Sequence, residues 1–303
     1  MALPIILDTD IGGDVDDLLA LAVVLASPEI DLRAVTCVYG DVHTRSRIAL
    51  KVLALKGRSG VPVAVGAERA LDTERPLLCG MDNGEGLLTG ADADLGAAPA
   101  NGSGLIIETV MSKPGEIYVA AIGPLTNLAL ALLKEPRVAQ NAAGMTIMGG
   151  VVGGPGRLDL PWVDYNFACD PEAAKIVLAS GAALSLVPID VTMQVSISAA
   201  DVALLRAAGD PFHLALADQV ERYPRYREHG WTYLHDPLAV ATLLRPDLVT
   251  WTPVHVKVES GGEHSAGRLI ASAPTPEAPE NARIALQVDV NAAHGFIMSR
   301  LAR

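Results

Sequence analysis

The sequence predicts an α/β fold: an open, mostly parallel sheet with helices on both faces and a small antiparallel element near the C-terminus. Three observations lead to this prediction. Apolar runs at residues 3–7, 32–38 and 61–65 alternate with segments of helical spacing, which is typical of a parallel sheet. These runs are mostly apolar throughout, as strands buried on both faces are. After residue 251 the chain instead alternates apolar and polar residues, which indicates antiparallel strands.

Each early strand stops at a glycine or a carboxylate. Residues 3–7 stop at Asp8, residues 32–38 lead into a Tyr-Gly-Asp sequence that ends at Asp41, and residues 117–122 end in a Gly-Pro turn. The other strands predicted before residue 190 cover residues 61–65, 144–148 and 184–188. Because ligands bind beyond the carboxyl ends of parallel strands, we expect these polar residues to lie near a site.

The predicted helices show apolar residues at helical spacing. They cover residues 18–26, 44–55, 104–111, 128–133, 199–208, 211–230, 238–244 and 294–301, and another begins at Pro171. Within residues 44–55 we expect Arg45 and Arg47 to be exposed. Asp170 before Pro171 is predicted to be a helix N-cap, and Asp236 before Pro237 shows the same local pattern.

Two further features are predicted, a long loop after residue 79 and an antiparallel element near the C-terminus. Residues 79–102 are rich in Gly, Asp and Ala, and we expect a long loop there, beside the site or simply on the surface. The final strands are predicted at residues 254–260, 267–272 and 282–290, as a short antiparallel edge or lobe. No linker or internal repeat divides the sequence, so we expect a single domain over residues 1–303.

Composition restricts the partners and the compartment. The 303 residues are 50% hydrophobic with mean hydropathy +0.32, so a large core is expected. The net charge is −12, from 23 basic and 35 acidic residues, which argues against nucleic-acid polymers and membranes as partners. The longest apolar run, residues 18–26, is too short to span a bilayer, and no secretory leader is expected. The three cysteines, Cys37, Cys79 and Cys169, are scattered, which favours a cytoplasmic location.

The most informative stretch is residues 8–17, which reads DTDIGGDVDD. It holds five aspartates in ten positions: Asp8, Asp10, Asp14, Asp16 and Asp17. Carboxylates this close repel one another, so either a cation or protons retained at raised pKa must offset their charge. One or two aspartates would suffice to cap the following helix. Oxygen ligands without Cys or His predict Ca²⁺ or Mg²⁺.

Five motifs, taken in chain order, resemble the calcium-dependent nucleoside N-ribohydrolase family of the inosine–uridine preferring type. They are DTDIGGDVDD at 8–17, VYGD at 38–41, IGPLTN at 122–127, DYN and DPEAA at 164–174, and HDP at 235–237. Each motif alone is weak, whereas the ordered set spans nearly the whole chain. The resemblance implies an open α/β sheet with one Ca²⁺ at its carboxyl edge, a nucleoside substrate, and a homodimer or homotetramer.

The resemblance also implies roles for individual residues. The implied Ca²⁺ ligands are the carboxylates of Asp10, Asp17 and Asp236 and the backbone carbonyl of Thr126.

Asp16, Asp164 and Asn166 match residues that hold the sugar, although the family more often has Glu where this chain has Asp164. Asp41 is assigned to the substrate as well, where many members carry an asparagine. His235 matches the residue near the departing base.

Other departures concern the turn after the first strand and the loop that follows residue 79. The turn is two residues longer than the commonest family spacing, so the role of Asp14 is open. A histidine often found near residue 82 is replaced by Asp82 or Asn83, and an asparagine expected before Asp164 is missing. These changes affect base and 5′-end specificity rather than metal binding.

The expected chemistry is hydrolysis of an N-glycosidic bond. The sugar carbon gains positive character and the departing base gains negative charge. We expect Asp10 to act as general base on a Ca²⁺-bound water, with inversion, and His235 to protonate the base as an imidazolium. No basic residue falls within these motifs, so a 5′-phosphate should be rejected.

Alternatives remain at this stage. A haloacid-dehalogenase-type phosphatase also places Asp-x-Asp after its first strand, but it prefers Thr or Val where this chain has Gly12. A dinucleotide-binding fold is weaker, because Gly12 and Gly13 do not form the required glycine pattern. A non-catalytic Ca²⁺-dependent binder of nucleosides or sugars is the third alternative.

Overall fold

The computed structural model describes residues 2–78, 84–90, 92, 95, 98–153 and 158–303. Eleven strands fall within these residues, nine in one main sheet and two in a separate pair. In chain order they are β1 Leu3–Thr9, β2 Ile30–Cys37, β3 Val63–Val65, β4 Tyr118–Ala121, β5 Gly144–Met148, β6 Leu184–Val187, β7 Ser196–Ser198, β8 Trp231–Tyr233, β9 Val249–Val258, β10 Leu269–Ser272 and β11 Ala282–Val288.

The main sheet has the strand order β10-β9-β11-β6-β5-β4-β1-β2-β3. In this order, the seven strands from β11 to β3 are all parallel. At the other edge, β9 pairs antiparallel with both β11 and β10. The chain builds outward from β1 to β3 and then returns to place β4 on the other side of β1. Strand order therefore reverses between β1 and β4, and ligands in open α/β sheets bind in the crevice beyond such a reversal.

Helices cover both faces of this sheet. They are α1 Asp16–Leu25, α2 Val42–Leu55, α3 Gly102–Ser112, α4 Thr126–Lys134, α5 Val138–Asn141, α6 Tyr165–Cys169, α7 Pro171–Leu178, α8 Ile189–Thr192, α9 Ala199–Ala208, α10 Pro211–Arg222, α11 Pro224–His229, α12 His235–Leu244 and α13 Val290–Leu301, with a 3₁₀ turn at Pro246–Leu248. One core holds buried residues of α1, α2, α12 and α13, and the other holds those of α3, α4 and α7.

The register of the central strands brings their carboxyl ends to one level. Asp8 of β1 pairs with Thr36 of β2 on one side and with Ala121 of β4 on the other. The residues that follow these strands therefore emerge at the same edge of the sheet. Among the described residues, no helix combines the length and the apolarity that a membrane crossing requires.

The predicted fold class is confirmed, including the antiparallel edge formed by β9 and β10. The single helix predicted over residues 211–230 is instead two helices, because α10 ends at Arg222 and α11 begins at Pro224. Two predictions about side chains are also wrong. Arg45 is buried and not exposed: only 1% of its surface is accessible, because its guanidinium group turns inward from α2. Asp236 is not an N-cap, because α12 begins at His235 and Leu234 is its N-cap.

The loop predicted over residues 79–102 falls partly outside the described residues, as does Cys79. The other two cysteines, Cys37 and Cys169, are free and buried.

Candidate functional site

Three buried carboxylates converge where α1 and α12 begin. Asp16 and Asp17 lie in the first turn of α1, and Asp236 lies in the first turn of α12. One carboxylate oxygen from each lies within 4.8 Å of those of the other two. We call these three residues the acidic cluster. All are nearly inaccessible, with exposures of 5%, 4% and 3%.

The acidic cluster is electrostatically costly by itself. Burial raises the pKa of all three carboxyl groups well above the ordinary value, and repulsion between neighbouring aspartates raises it further. A divalent cation would offset both effects. The donors are all oxygens, which Ca²⁺ and Mg²⁺ prefer, so the residues present fit a hard cation.

Asp10 lies next to this cluster, directly after β1. Its charge is among those that raise the pKa of each cluster carboxyl group. The turn after β4 approaches it closely, since a Cβ at Gly123 would lie 2.7 Å from Asp10 Oδ1. A side chain at position 123 would therefore displace Asp10.

A buried cation accompanies these carboxylates. Arg45 Nη2 lies 3.9 Å from Asp10 Oδ2. Its Nε donates to the carbonyl of Tyr39 at 2.6 Å and its Nη1 to that of Ile11 at 3.1 Å. Sequence reasoning missed this residue, because an arginine on a predicted helix is normally assigned to solvent. The available signal was its position four residues after Asp41, at the carboxyl edge of β2.

A network of buried hydrogen bonds supports the end of β1. Asp8 Oδ1 accepts from the Thr36 hydroxyl at 2.5 Å and from Asn127 Nδ2 at 2.8 Å. The same Asn127 amide donates to the carbonyl of Cys37, and its oxygen accepts from the Ala67 amide. Burial raises the pKa of Asp8 to about 7. This network joins β1, β2 and α4 beneath the site.

Thr9 supports the acidic cluster directly, because its hydroxyl donates to Asp17. Since Thr9 is the last residue of β1, this bond ties the strand end to the first turn of α1.

The acidic cluster forms one wall of a cavity of about 400 Å³, which we call the main cavity. The cavity is lined by Asp10, Gly13, Asp14, Asp16, Asp17, Leu78, Ile122, Met148, Asp164, Tyr165, Asn166, Ile189, Tyr223, His235 and Asp236. Seven of the residues predicted from the sequence for catalysis, metal or substrate binding therefore line it, including all three members of the acidic cluster. The cavity lies over the reversal of strand order between β1 and β4.

Asp164 and Asn166 form a further polar wall of the main cavity. Asp164 is the N-cap of α6, and its Oδ2 accepts from the Gly150 amide at 2.6 Å. Burial raises the pKa of its carboxyl group to about 6. Asn166 Nδ2 donates to the carbonyls of Ile122 and Met148, at 2.7 and 3.1 Å. Both side chains are thus fixed by the ends of β4 and β5.

His235 lies on an aromatic side of the main cavity. Its Nδ1 is 2.7 Å from the Thr192 hydroxyl, and its ring centroid is 5.0 Å from that of Tyr233. Burial and the charge of Arg225 lower the pKa of His235 to about 4. The ring is therefore neutral near pH 7, and the predicted imidazolium is not the form that this environment favours.

Arg225 is a second cation that the sequence analysis did not assign to the site. Its guanidinium carbon lies 4.3 Å from the ring centroid of Trp231 and 4.4 Å from that of Tyr233. Its Nη2 also donates to the Tyr233 hydroxyl at 3.2 Å. The crowding of Arg and Tyr residues in residues 222–233 was the available signal.

Asp14, whose role the sequence left open, has a defined position. Its Oδ2 accepts from the hydroxyl of Tyr223 at 2.6 Å, and its Oδ1 accepts from the Val15 amide at 2.5 Å. The bond to Tyr223 joins the long turn after β1 to the junction of α10 and α11. Asp14 therefore belongs to the cavity wall and lies outside the acidic cluster.

Two predicted residues lie elsewhere in the described structure. Asp41 is exposed and caps α2, where its carboxylate accepts from the Thr44 amide at 3.0 Å. It does not line the main cavity, and its role with substrate stays a prediction. Thr126 begins α4, and its hydroxyl donates to Asp170 at 2.7 Å. Its backbone carbonyl as a ligand also stays a prediction.

Two other expectations can be placed. Asp170 is the N-cap of α7, as predicted, and accepts from the Ala173 amide. Asp82 and Asn83 lie outside the described residues. Taken together, the cavity combines oxygen ligands for a cation, a carboxylate that can accept a proton, and fixed polar groups that can bind hydroxyls.

Comparisons with known proteins agree with this arrangement. The model of the family described as inosine-uridine preferring nucleoside hydrolase matches residues 5–295. The pyrimidine-specific ribonucleoside hydrolase RihA of Salmonella arizonae is 35% identical over 279 residues, which cover 89% of this chain and 88% of the relative. RihA of Citrobacter koseri is 34% identical with the same coverage.

Solved structures give the same result. The purine-preferring ribonucleoside hydrolase from Gardnerella vaginalis superposes with a TM-score of 0.88 at 30% identity, covering 99% of this chain and 98% of that one. The plant nucleoside hydrolase PpNRh1 gives a TM-score of 0.84 at 29% identity, with coverage of 100% and 99%.

Proposed function

The chain belongs to the inosine-uridine preferring nucleoside hydrolase family, and on this premise we propose how its residues carry out the reaction. The protein hydrolyses the N-glycosidic bond of a nucleoside to give free base and ribose. Because the chain belongs to this family, the alternative of a haloacid-dehalogenase-type phosphatase is no longer retained. The roles of individual residues and the identity of the metal are the content of the proposal.

Ca²⁺ is the cation proposed for the acidic cluster. Mg²⁺ usually keeps several waters and binds through one or two carboxylates, whereas Ca²⁺ accepts many protein oxygens in flexible geometry. Asp17, Asp236 and the adjacent Asp10 would supply carboxylate ligands, and Thr126 a backbone carbonyl. When bound, Ca²⁺ would orient sugar hydroxyls and lower the pKa of a water molecule.

The protein's own groups account for the remaining steps. Asp10 accepts a proton from the water that attacks the sugar carbon, and attack opposite the base inverts its configuration. The negative wall stabilises the positive character that develops on the sugar. Asp16, Asp164 and Asn166 hold the sugar hydroxyls. His235, as a neutral ring bonded to Thr192, orients the base, which leaves with the electron pair of the broken bond and takes up a proton from solvent.

The observation that carries this proposal is the placement of the acidic cluster in the wall of the main cavity, with Asp10 adjacent. Residues from the ends of β1, β4 and β5 and from α12 meet there. No other group of three or more His, Cys, Asp or Glu residues that could hold a metal ion is found in the described part of the chain.

The experiment measures base release from inosine, adenosine, guanosine, uridine and cytidine, with Ca²⁺ and with a chelator. The relatives are named as pyrimidine-specific and as purine-preferring, so the panel spans both classes. Asp10→Asn should lower kcat by at least about a hundredfold. The matched control is Asp31→Asn, on β2 and outside the main cavity.

The outcome separates the alternatives. Turnover that needs Ca²⁺ and Asp10 supports the proposal. Binding of nucleosides without hydrolysis across the panel would instead indicate a non-catalytic binder. We further propose a cytoplasmic location, in keeping with the free cysteines Cys37 and Cys169, and a homodimer or homotetramer in solution.

A further inference from the structure

A second cavity, of about 660 Å³, lies at the amino ends of the parallel strands. Its lining includes the first residues of β4, β5, β6 and β11, which are Tyr118, Gly144, Leu184 and Ala282. The main cavity lies beyond the carboxyl ends of the same sheet, and the two cavities share no lining residue. We call the second one the amino-edge cavity. A ligand bound there would not contact the groups assigned to catalysis.

A row of polar side chains crosses three neighbouring strands in this cavity. Thr146 of β5 pairs with Ser185 of β6, and Ser185 pairs with Arg283 of β11. All three line the amino-edge cavity, and directly paired residues point to the same face of a sheet. We call them the polar row. Two residues further along their strands, Met148 and Val187 belong to the core shared with α12, so the row lies on a face that is otherwise apolar.

The two hydroxyl groups of the polar row have protons to donate. Thr146 is 6% exposed, and its hydroxyl makes no hydrogen bond with any residue that the structure describes. Ser185 is 8% exposed, and its oxygen accepts from Arg283 Nε at 2.8 Å. The proton of Ser185 has no acceptor among the described residues either. Because buried polar groups are normally hydrogen-bonded, two such hydroxyls side by side indicate a place for an acceptor.

The guanidinium group of Arg283 is held in place without being neutralised. Its carbon lies 4.4 Å from the ring centroid of Trp251, whose Nε1 donates to the carbonyl of Pro246 at 3.0 Å. Apart from the Nε bond to Ser185, its N–H groups make no hydrogen bond or ion pair with a described residue. Among the described residues that line the cavity, Glu280 is the only carboxylate, and it is exposed, so water screens its charge.

These donors define the chemistry of a ligand. Two hydroxyls and a fixed guanidinium group complement a carboxylate or a phosphate group, which supplies both acceptor oxygens and the missing negative charge. The cavity is larger than the main cavity of about 400 Å³, so it has room for more than this group. Thr242 and Leu243, in the last turn of α12, line another side. Carbonyl oxygens at a helix end lack intrahelical donors, so hydroxyl groups on the rest of the ligand suit that side.

We propose that the amino-edge cavity is a binding site for a small hydroxylated organic anion, whose carboxylate or phosphate group is bound by Thr146, Ser185 and Arg283. The site is independent of the proposed function, because it shares no residue with the main cavity. It adds a second ligand to a protein whose catalytic cavity is lined by carboxylates.

The test uses three probes with the same three-carbon body: glycerol 3-phosphate, glycerate and glycerol. Isothermal titration calorimetry measures their binding to the whole protein in the presence of Ca²⁺. We expect at least one anion to bind with a Kd of about 1 mM or lower, and glycerol to give no measurable binding. The anion that binds more tightly shows whether the site prefers phosphate or carboxylate.

Two variants locate the binding. Arg283→Met removes the charge and should raise the Kd of the anion by about tenfold or more. Thr146→Val removes one hydroxyl at nearly constant volume and should raise it by about threefold or more. Arg33→Met is the control, because Arg33 is largely exposed on β2, lines neither cavity and should leave the Kd unchanged. If Thr146→Val does not fold, as judged by circular dichroism, Arg283→Met decides alone, since Arg283 is exposed.

Each outcome supports or overturns the proposal. Binding of an anion that is weakened in the folded variants and kept in Arg33→Met supports it. Absence of binding by both anions overturns it, and so does equal binding of glycerol, because the charge then has no part. An anion bound equally well by a folded variant and the wild type lies elsewhere, which also overturns it. Base release from nucleosides is measured separately, so the proposed function stands or falls on its own.

Discussion

The guanidinium group of Arg45 lies 3.9 Å from the carboxylate of Asp10, and both side chains are buried. Arg45 also donates to the backbone carbonyls of Ile11 and Tyr39, on either side of the site. One cation therefore offsets part of the negative charge at the end of β1 and fixes two loops. A lysine would supply the charge but not the forked set of donors.

Arg45→Met should destabilise the protein by about 3 kcal/mol, because it leaves buried carbonyls without donors and Asp10 without a compensating charge. The measurement is urea unfolding with a chelator present. Arg33→Met is the control, since Arg33 pairs with Asp31 at a largely exposed position and should cost less than about 1 kcal/mol. Equal effects of the two substitutions would show that Arg45 has no such role.

Asp17→Asn and Asp236→Asn should remove the stabilisation that Ca²⁺ gives. Ca²⁺ at a hundred times its Kd should stabilise the wild type by about 2.7 kcal/mol, which raises Tm by several degrees. Because the cluster carboxyl groups have raised pKa, binding should also release protons and weaken as the pH falls. Differential scanning calorimetry and titration calorimetry in two buffers measure these effects. A Tm rise that persists in both variants would contradict the assignment, and Asp31→Asn should keep it.

Asp164 should make the stability depend on pH. Burial raises the pKa of its carboxyl group to about 6 in the native state, above the ordinary value of 3.8. The native state then binds the proton more tightly, so the stabilisation is present below pH 4 and is lost as the pH rises through 6. Between these values the wild type should lose up to about 3 kcal/mol relative to Asp164→Asn. Denaturation of both proteins with saturating Ca²⁺ keeps the acidic cluster constant, and parallel pH curves would refute the prediction.

His235 should act without changing its charge between pH 5 and 8, because its pKa is lowered to about 4. His235→Gln should therefore slow nucleoside hydrolysis without altering the shape of the kcat/KM profile in this range. The same variant should slow p-nitrophenyl riboside less, since that substrate has no nucleobase for His235 to orient. Loss of a basic limb on substitution would show that His235 works as an imidazolium after all.

The stability effect of His235 has a defined sign. A depressed native pKa means that the unfolded state binds the proton more tightly. The stabilisation is complete above about pH 6.5, the ordinary value, and is lost as the pH falls through 4. His235→Gln should therefore be less sensitive to acid than the wild type in denaturant titrations between pH 6.5 and 4.

Nucleoside 5′-monophosphates should be poor substrates. The main cavity is lined by six aspartates, whereas no Lys or Arg lines it. Arg45 is already bonded to two carbonyls. We expect kcat/KM to fall by at least roughly a hundredfold from nucleoside to monophosphate through repulsion between like charges. A 5′-O-methyl nucleoside is the control for bulk, and turnover of the monophosphate comparable to that of the nucleoside would contradict the prediction.

The sequence located the carboxyl edge of the sheet because local patterns suffice for it. An apolar run that ends at Asp8 and Asp10 specifies a buried strand and its polar end. Parallel pairing then brings the polar ends of neighbouring strands to the same edge of the sheet. The main cavity holds most of the residues named on that basis. The antiparallel pairing of β9 and β10 could likewise be predicted from their alternation of apolar and polar residues.

Contacts between distant residues could not be read in this way. Tyr223 and Asp14 are 209 positions apart, and nothing local indicates their bond. Asp236 before Pro237 looks like a helix cap whether or not its side chain faces other carboxylates. Arg45 lies on a helix whose polar residues would ordinarily face water, and its burial is explained by distant partners, the carboxylate of Asp10 and two backbone carbonyls.

The acidic cluster takes two carboxylates from residues 16–17 and the third from residue 236. During synthesis the first pair leaves the ribosome long before α12 exists, so the cation has no complete site until most of the chain has emerged. On the proposed assignment, capture of the ion would then be a late event that holds the first helix against the twelfth. A nascent chain interrupted before residue 236 would lack the third carboxylate and could not complete the cation site.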